Sequence, residues 1–319
     1  MRIFWIVAKT AVSGLILFVV FRSVSAEALS SRIGAMDAGP VAAAVLVNLF
    51  QSGLGAYRWR VISGRIFSGL RFAVLLRFWL IGQFLSQALP STIVGDGIRI
   101  WMLYRHGVSI RDATHSVVAD RVSGMLVLLL LVASTLPFHA GVIPDHMARL
   151  TLQLVAAAGL GGFVGLLALA SPLGLGLNRF RPTRIVRDLA HTLLDVLGRS
   201  RSAVGVFVIA FVVQVLSVLA IYLLAIGLKL PVGFWSLLIL VPPMQLLSMV
   251  PISIAGWGLR EGLMVTVLGF VGVPADGALV LSVFYGLSLV LASLPGGPLL
   301  VVNRSEASPP AGEPAGDPA

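Results

Sequence analysis

The chain has 319 residues, of which 58% are hydrophobic and only 11% are charged, and its mean hydropathy is +0.99. This is more apolar surface than the core of a water-soluble protein can bury, so lipid is the expected solvent. The formal net charge of +10 does not indicate nucleic-acid binding, because the basic residues lie in short segments between apolar runs. With no cysteine, thiolate metal sites and cysteine nucleophiles are excluded. The histidines lack metal-ligand spacing, so neither a metal nor another cofactor is predicted.

Six apolar runs are long enough to cross about 30 Å of hydrocarbon. They cover residues 3–21, 40–56, 114–137, 149–172, 203–228 and 278–300. The first run follows basic residues as a signal peptide would, but we expect it to be a retained span because the second half of the chain contains its counterpart. The sequence therefore predicts an all-α integral membrane protein with about six transmembrane helices.

Two further apolar stretches, 78–104 and 234–272, are interrupted near the middle by proline and glycine. The interruptions PSTIVGDGIR, which ends at Arg99, and PISIAGWGLR, which ends at Arg260, align at an offset of 161 residues. The same offset carries span 40–56 onto 201–217 and 114–137 onto 275–298. The sequence thus predicts an internal repeat, with halves at about 1–140 and 149–302 of one membrane domain.

The basic residues predict the orientation, because lysine and arginine accumulate on the cytoplasmic side of a membrane. They cluster in segments 57–77, 105–113 and 173–202, so these segments and both chain ends are expected in the cytoplasm. The expected location of the protein is the cytoplasmic (inner) membrane. A stretch with basic segments at both ends, such as 78–104, must leave the membrane on the side from which it entered. This predicts a re-entrant helical hairpin. Each half then has three crossings, an odd number, so the second half and its hairpin are inverted.

Two cytoplasmic segments carry further predictions. Residues Thr183 to Leu197 have charged and apolar positions on opposite helical faces, which predicts a helix that lies flat on the inner leaflet or simply connects two spans. Residues 303–319 are rich in proline, glycine and alanine, which predicts a disordered tail.

Charged residues fall inside or close to the hydrophobic region at three places: Asp96 with Arg99, Asp120 with Arg121, and Arg260 with Glu261. Unpaired exposure to lipid would cost roughly 2.5 to 3.5 kcal/mol for each of them. We therefore expect them to face protein or water, either as structural ion pairs or as the lining of a polar site. Helices broken at glycines favour a site for phosphate or carboxylate, because their free N–H groups attract anions. The glycines concerned are Gly95, Gly97, Gly256 and Gly258.

Three segments resemble the signatures of the lysylphosphatidylglycerol synthase transmembrane-region family, whose members are also described as flippase-like proteins. They are LPSTIVGDGIRIWML at 89–103, SVVADRVSG at 116–124 and VPISIAGWGLRE at 250–261. The resemblance covers residues 1–302 and implies that polar lipids move between the leaflets. By motif, the family's polar positions fall on Gly95, Asp96, Arg99, Asp120, Arg121, Gly256, Gly258, Arg260 and Glu261.

The resemblance implies a membrane lipid as the partner, with aminoacylated phosphatidylglycerol, polyprenyl-linked sugars and hopanoids as substrates of relatives. We expect a flippase in which Arg99 and Arg260 hold the phosphate, while Asp96 and Glu261 balance charge or carry a coupling proton. One alternative is a membrane-embedded transferase with Asp96, Asp120 or Glu261 as general base. Another is an accessory subunit that contacts envelope-biosynthesis enzymes. These residues contain no aminoacyltransferase domain, so enzymatic synthesis of an aminoacyl lipid is not expected.

Overall fold

A computed structural model describes residues 34–88, 92–143, 145–168, 181–198, 201–248 and 258–306. Every secondary-structure element within these ranges is helical. The predicted first span, the second interruption as far as Trp257, and the tail beyond Glu306 lie outside the described residues.

The α-helices occupy most of the described ranges and are numbered here in chain order. They are α1 Ala38–Ile66, α2 Phe72–Ala88, α3 Thr92–Arg105, α4 Ile110–Thr135, α5 His146–Ala168, α6 Arg181–Leu197, α7 Arg201–Gly227, α8 Phe234–Ser248, α9 Leu259–Gly269, α10 Ala275–Ser293 and α11 Gly296–Glu306. A short 3-10 helix, Leu136–Gly141, extends α4.

Five helical segments in the described residues are long and apolar enough to cross a membrane. They are Ala38–Ile66, Ile110–His139, Arg149–Ala168, Ser202–Gly227 and Ala275–Ser293. Each coincides with a predicted span, and large apolar side chains such as Leu46, Phe211 and Leu291 are exposed on the outer surface, as lipid contact requires. The protein is therefore an all-α, multi-pass membrane protein.

The last predicted span, 278–300, is shorter than expected. Helix α10 ends at Ser293, and α11 begins at Gly296 after a turn that contains Pro295. Proline removes a backbone donor, and its ring clashes with the preceding turn, so the helix stops here. Gly296 then lets α11 pack closely on α2, because a methyl group at this position would collide with the Leu80 carbonyl oxygen. Helix α11 continues to Glu306, four residues beyond the predicted end of the membrane domain at 302.

Helices α2 and α3 form an antiparallel hairpin. The ring of Phe78 lies 4.8 Å from that of His106. Further along α2, Gly82 faces Arg99 and Ser86 faces Gly95. Residue numbers therefore increase along α2 in the direction in which they decrease along α3. With 17 and 14 residues, both helices are shorter than the roughly 20 residues that a crossing needs.

The hairpin tip is more helical than expected. The sequence placed the first glycine-rich interruption, as far as Gly97, at a non-helical tip, whereas α3 begins at Thr92. Gly95 and Asp96 therefore lie on the helix, and Arg99 lies about two turns inside it. The expected helix break at Gly95 and Gly97 is therefore absent, because glycine does not stop a helix whose face packs closely on a neighbour.

Helices α1 and α7 pack extensively against each other and run in opposite directions. At one end, the Asp37 N–H donates to the Gly227 carbonyl oxygen at 2.8 Å. At the other end, Ile62 and Val206 share one buried cluster. The ends of α7 and α8 lie within two residues of those of α1 and α2 after a shift of 161 positions. Antiparallel packing of corresponding helices is what an inverted repeat requires, and the equivalence of the halves stays a prediction.

The predicted amphipathic helix is present as α6, but its apolar face packs on protein. Leu193 and Val196 are buried in a cluster with Ile62 of α1, Ala119 of α4 and Val206 of α7. This packing agrees with the expectation of a connector between spans, because the face that would contact the leaflet is already covered.

The predicted orientation can be tested with single cysteines, since the chain has none of its own. Cysteine at Pro274 should react with an impermeant thiol reagent in intact cells. Cysteine at Arg65 or His191 should react only after permeabilisation, because the positive-inside rule places these positions in the cytoplasm. Labelling of all three positions from the same side would contradict the inverted arrangement.

Candidate functional site

A cavity of about 460 Å³ with both polar and apolar lining residues lies between the α2–α3 hairpin and helices α1, α4, α7, α8 and α10. Its charged lining residues are Arg58, Asp96, Arg99, Asp120 and Arg121. Its carboxamide lining residues are Asn48, Gln51, Gln83, Gln87, Gln214 and Gln245. The volume falls within the range of roughly 300–1,000 Å³ that is usual for ligand sites.

The cavity reaches well into the membrane-crossing part of the fold. Asp120 is ten residues from the start of α4, and Arg58 is eight residues from the end of α1. At about 1.5 Å per residue, these positions lie roughly 12 to 15 Å from the nearer ends of helices that are about 40 Å long, so they lie inside the bundle of membrane-spanning helices. Charged groups at this depth need partners, which the neighbouring helices supply.

Five charged side chains form one continuous network along the cavity wall. Arg58 Nε donates to Asp120 Oδ1 at 2.9 Å, and Arg99 Nη2 donates to Asp120 Oδ2 at 3.3 Å. Arg99 Nη1 donates to Asp96 Oδ1 at 3.3 Å, and Arg121 Nε donates to Asp96 Oδ2 at 2.6 Å. Every carboxylate oxygen therefore accepts from a guanidinium group. Three arginines and two aspartates give the network a formal charge of +1.

Exposure rises steeply toward one end of this network. The side chains of Asp120 and Arg99 are 2% and 6% exposed, whereas that of Arg121 is 52% exposed. Arg121 uses Nε for its bond to Asp96, and its half-exposed side chain lines the cavity. Arg121 is thus the accessible end of a positively charged network that is otherwise buried.

Arg99 is held in place by aromatic rings as well as by carboxylates. Its Cζ atom lies 3.9 Å from the Trp59 ring centroid and 4.4 Å from that of Trp79, so the guanidinium group makes cation–π contacts with both rings. Gly82 makes room for it, because a methyl group there would lie 2.9 Å from Arg99 Cγ. This side chain is fixed, and its Nε is buried with no hydrogen-bond partner in the described residues.

The two predicted glycines of the first hairpin have different surroundings. A methyl group at Gly95 would collide with the Ser86 hydroxyl and the Gly82 carbonyl oxygen, so glycine at 95 permits the close approach of α3 to α2. Gly97 is exposed, and a methyl group there would meet open space. Gly95 lines the cavity, and Gly97 is not among the described lining residues.

Arg260 and Glu261 form a separate buried pair at the start of α9. Arg260 Nη2 and Nε donate to Glu261 Oε1 at 2.6 and 3.1 Å. Glu261 Oε2 accepts from the Gly258 N–H at 2.5 Å, which caps the first turn of α9. Gly258 has a φ of +89°, a conformation that favours glycine. The fourth predicted glycine, Gly256, lies outside the described residues.

The structure does not bring Arg99 and Arg260 together at one cavity wall. Neither Arg260 nor Glu261 is among the described residues that line the cavity. Tyr285 does line it, and its ring centroid lies 6.0 Å from Arg260 Cζ. Tyr285 thus contacts both the cavity and the second pair, and its hydroxyl group shares a hydrogen bond of 2.9 Å with that of Ser217.

Arg58 is a site residue that the sequence analysis missed. It was assigned to cytoplasmic segment 57–77, but α1 continues to Ile66 and buries it. Asn48, Ser52 and Gly55 precede it at helical spacing and also line the cavity, so a polar stripe along α1 was the available signal. Among the described residues, no three histidine, aspartate or glutamate side chains come together as a metal site would need.

Comparison with protein families agrees with the motifs that form this network. The model of the lysylphosphatidylglycerol synthase TM region matches residues 6–296, which is most of the chain. A comparison with curated proteins found no match. The matched range includes the α2–α3 hairpin, the Asp120 and Arg121 positions and the Arg260–Glu261 pair. The chain belongs to the lysylphosphatidylglycerol synthase transmembrane-region family.

Proposed function

We propose that the protein is a lipid flippase, which moves a phosphate-bearing head group through the cavity while the lipid tails stay in the bilayer. The observation that carries the proposal is the network of net charge +1 on the wall of a cavity between membrane-spanning helices. A head-group phosphate would lose its hydration in the hydrocarbon core. Guanidinium donors in the cavity would replace that hydration with charge-assisted hydrogen bonds.

Arg121 is the residue that would contact the phosphate first. Its side chain is 52% exposed, while Asp96 holds its Nε and so orients the remaining donors. Arg99 and Arg58 lie deeper in the network. They would attract the phosphate through their positive charge and would not contact it first. Asp96 and Asp120 hold the three cations in place, so the site does not need to assemble when the lipid arrives.

The geometry supports transport better than the other two candidate functions. A transferase would need a carboxylate placed to take a proton from its substrate, but both oxygens of Asp96 and of Asp120 already accept from arginines. The Glu261 carboxylate is fully buried, and its oxygens accept from Arg260 and from the Gly258 N–H. An accessory subunit held together by ion pairs would not need an open cavity beside them. We therefore propose a transporter rather than an enzyme, located in the cytoplasmic membrane with its basic loops on the cytoplasmic side.

Transport by the purified protein in lipid vesicles is the direct test. Vesicles carry phosphatidylglycerol with a fluorescent acyl chain, and a membrane-impermeant reductant bleaches the label in the outer leaflet. Protein-containing vesicles should lose nearly all of the signal, and protein-free vesicles about half. Arg121→Gln should slow the loss roughly ten-fold or more, because one charge-assisted contact of about 1.5 to 3 kcal/mol disappears.

Arg111→Gln is the matched control for this variant. It removes the same charge from a side chain that is 65% exposed and pairs with Asp188 at the surface. Its rate should equal that of the wild type. Absence of transport by the wild-type protein, or equal rates for the two variants, would overturn the proposal.

A further inference from the structure

The lining of the cavity is also rich in carboxamides. Six of its lining residues are asparagine or glutamine: Asn48, Gln51, Gln83, Gln87, Gln214 and Gln245. Among the described residues, the side-chain oxygens of Asn48, Gln51 and Gln83 are buried and have no hydrogen-bond partner. A buried polar atom without a partner lowers stability, and a bound molecule in the cavity would supply the missing hydrogen bonds.

Hydroxyl groups can donate hydrogen bonds to these carboxamide oxygens without adding charge. An ammonium group can also donate to them, but it brings a positive charge toward a network that already has a charge of +1. The acidic side chains among the described lining residues are Asp96 and Asp120, and each already lies between two arginines.

We infer that the cavity selects phosphate-bearing head groups that carry hydroxyl groups and no ammonium group. This inference rests on the proposed function and adds the class of substrate. One phosphate diester has one negative charge, which balances the network, and the hydroxyl groups of a glycerol or a sugar satisfy the carboxamides. An aminoacylated head group adds a cation for which the described part of the wall offers no carboxylate without an arginine.

The test compares four lipids with the same fluorescent acyl chain in the vesicle assay. Phosphatidylglycerol and phosphatidylinositol carry hydroxyl groups without an amine. Phosphatidylethanolamine and lysylphosphatidylglycerol carry amines. At least one lipid of the first pair should move ten-fold faster than both of the second. If phosphatidylglycerol moves faster, the preferred head group carries glycerol hydroxyl groups. If phosphatidylinositol moves faster, the preferred head group carries sugar-like ring hydroxyl groups.

Other outcomes separate this inference from the function on which it rests. Equal rates for all four lipids, or lysylphosphatidylglycerol as the fastest, would overturn the selectivity and leave the flippase intact. Movement of none of the four would overturn both.

Two substitutions at Gln83 sharpen the test. Gln83→Glu places a carboxylate in the wall and should raise the rate of lysylphosphatidylglycerol relative to phosphatidylglycerol at least ten-fold. Gln83→Leu removes the hydrogen bonds that this side chain would make to the head group. It should slow transport of the hydroxyl-bearing lipids and should not speed transport of the amine-bearing lipids. An unchanged ratio in Gln83→Glu contradicts the inference. If that variant does not fold, Gln51→Glu on α1 gives the same comparison.

Discussion

Asp120→Asn is expected to lower the free energy of unfolding by about 3 to 5 kcal/mol, the usual cost of removing one partner from a buried ion pair. Asp120 is almost fully buried and accepts from both Arg58 and Arg99. Asparagine has nearly the same shape but no charge, so two buried guanidinium groups lose the carboxylate that they share. The network then carries a charge of +2 between membrane-spanning helices, where uncompensated charge is costly.

Thermal unfolding in detergent measures this effect, and Asp188→Asn provides its control. Asp188 pairs with Arg111 at 2.8 Å, but both side chains are largely exposed, at 47% and 65%. Pairs of this kind contribute only about 0 to 1 kcal/mol, so the control should unfold close to the wild-type temperature. Similar melting temperatures for Asp120→Asn and Asp188→Asn would show that the network does not stabilise the bundle.

Glu261→Gln is expected to have a comparable effect, because it also removes one partner from a buried ion pair. The Glu261 carboxylate is fully buried, and it accepts from Arg260, from Ser282 and from the Gly258 N–H that starts α9. Glutamine keeps the size but leaves the buried Arg260 charge beside a neutral amide, at a cost of about 3 to 5 kcal/mol. Detergent melting of the purified variant gives the size of the loss.

The double variant Arg260→Met with Glu261→Gln distinguishes stability from transport. Removing both charges avoids an uncompensated ion and should recover much of the lost melting temperature, since buried pairs can often be replaced by neutral side chains. Because neither residue is among the described lining residues, the transport rate per folded molecule should stay near that of the wild type. A stable double variant with a ten-fold slower rate would instead place this pair in the transport site.

Hydropathy and charge patterns were sufficient to predict most of the helices. A crossing needs about 20 apolar residues, and this requirement leaves a strong signal in sequence. The same patterns failed where a local break changed the path, as at Pro295 in the last predicted span. They also ended the 40–56 span too early, because a hydropathy window treats the first arginine as the edge of the membrane.

The cavity could be predicted only in part. Asp96, Arg99, Asp120 and Arg121 attracted attention because charge is costly in lipid, and the structure joins these four in one network. The partner Arg58 lies 62 residues from Asp120 along the chain, and only the packing of α1 on α4 brings the two together. The repeat likewise suggested that Arg99 and Arg260 act together, but their neighbours differ. Pairing depends on helix packing, which a local motif does not specify.

The glycine beneath each buried arginine affects how sequence variants of this protein should be interpreted. Arg58 lies against Gly124, Arg99 against Gly82, and Arg260 against Gly286. A change of any of these glycines to alanine alters no charge, yet the added methyl group would press on a guanidinium group or its stem. Such a variant would be scored as conservative, while its physical effect would be to shift an ion pair at membrane depth.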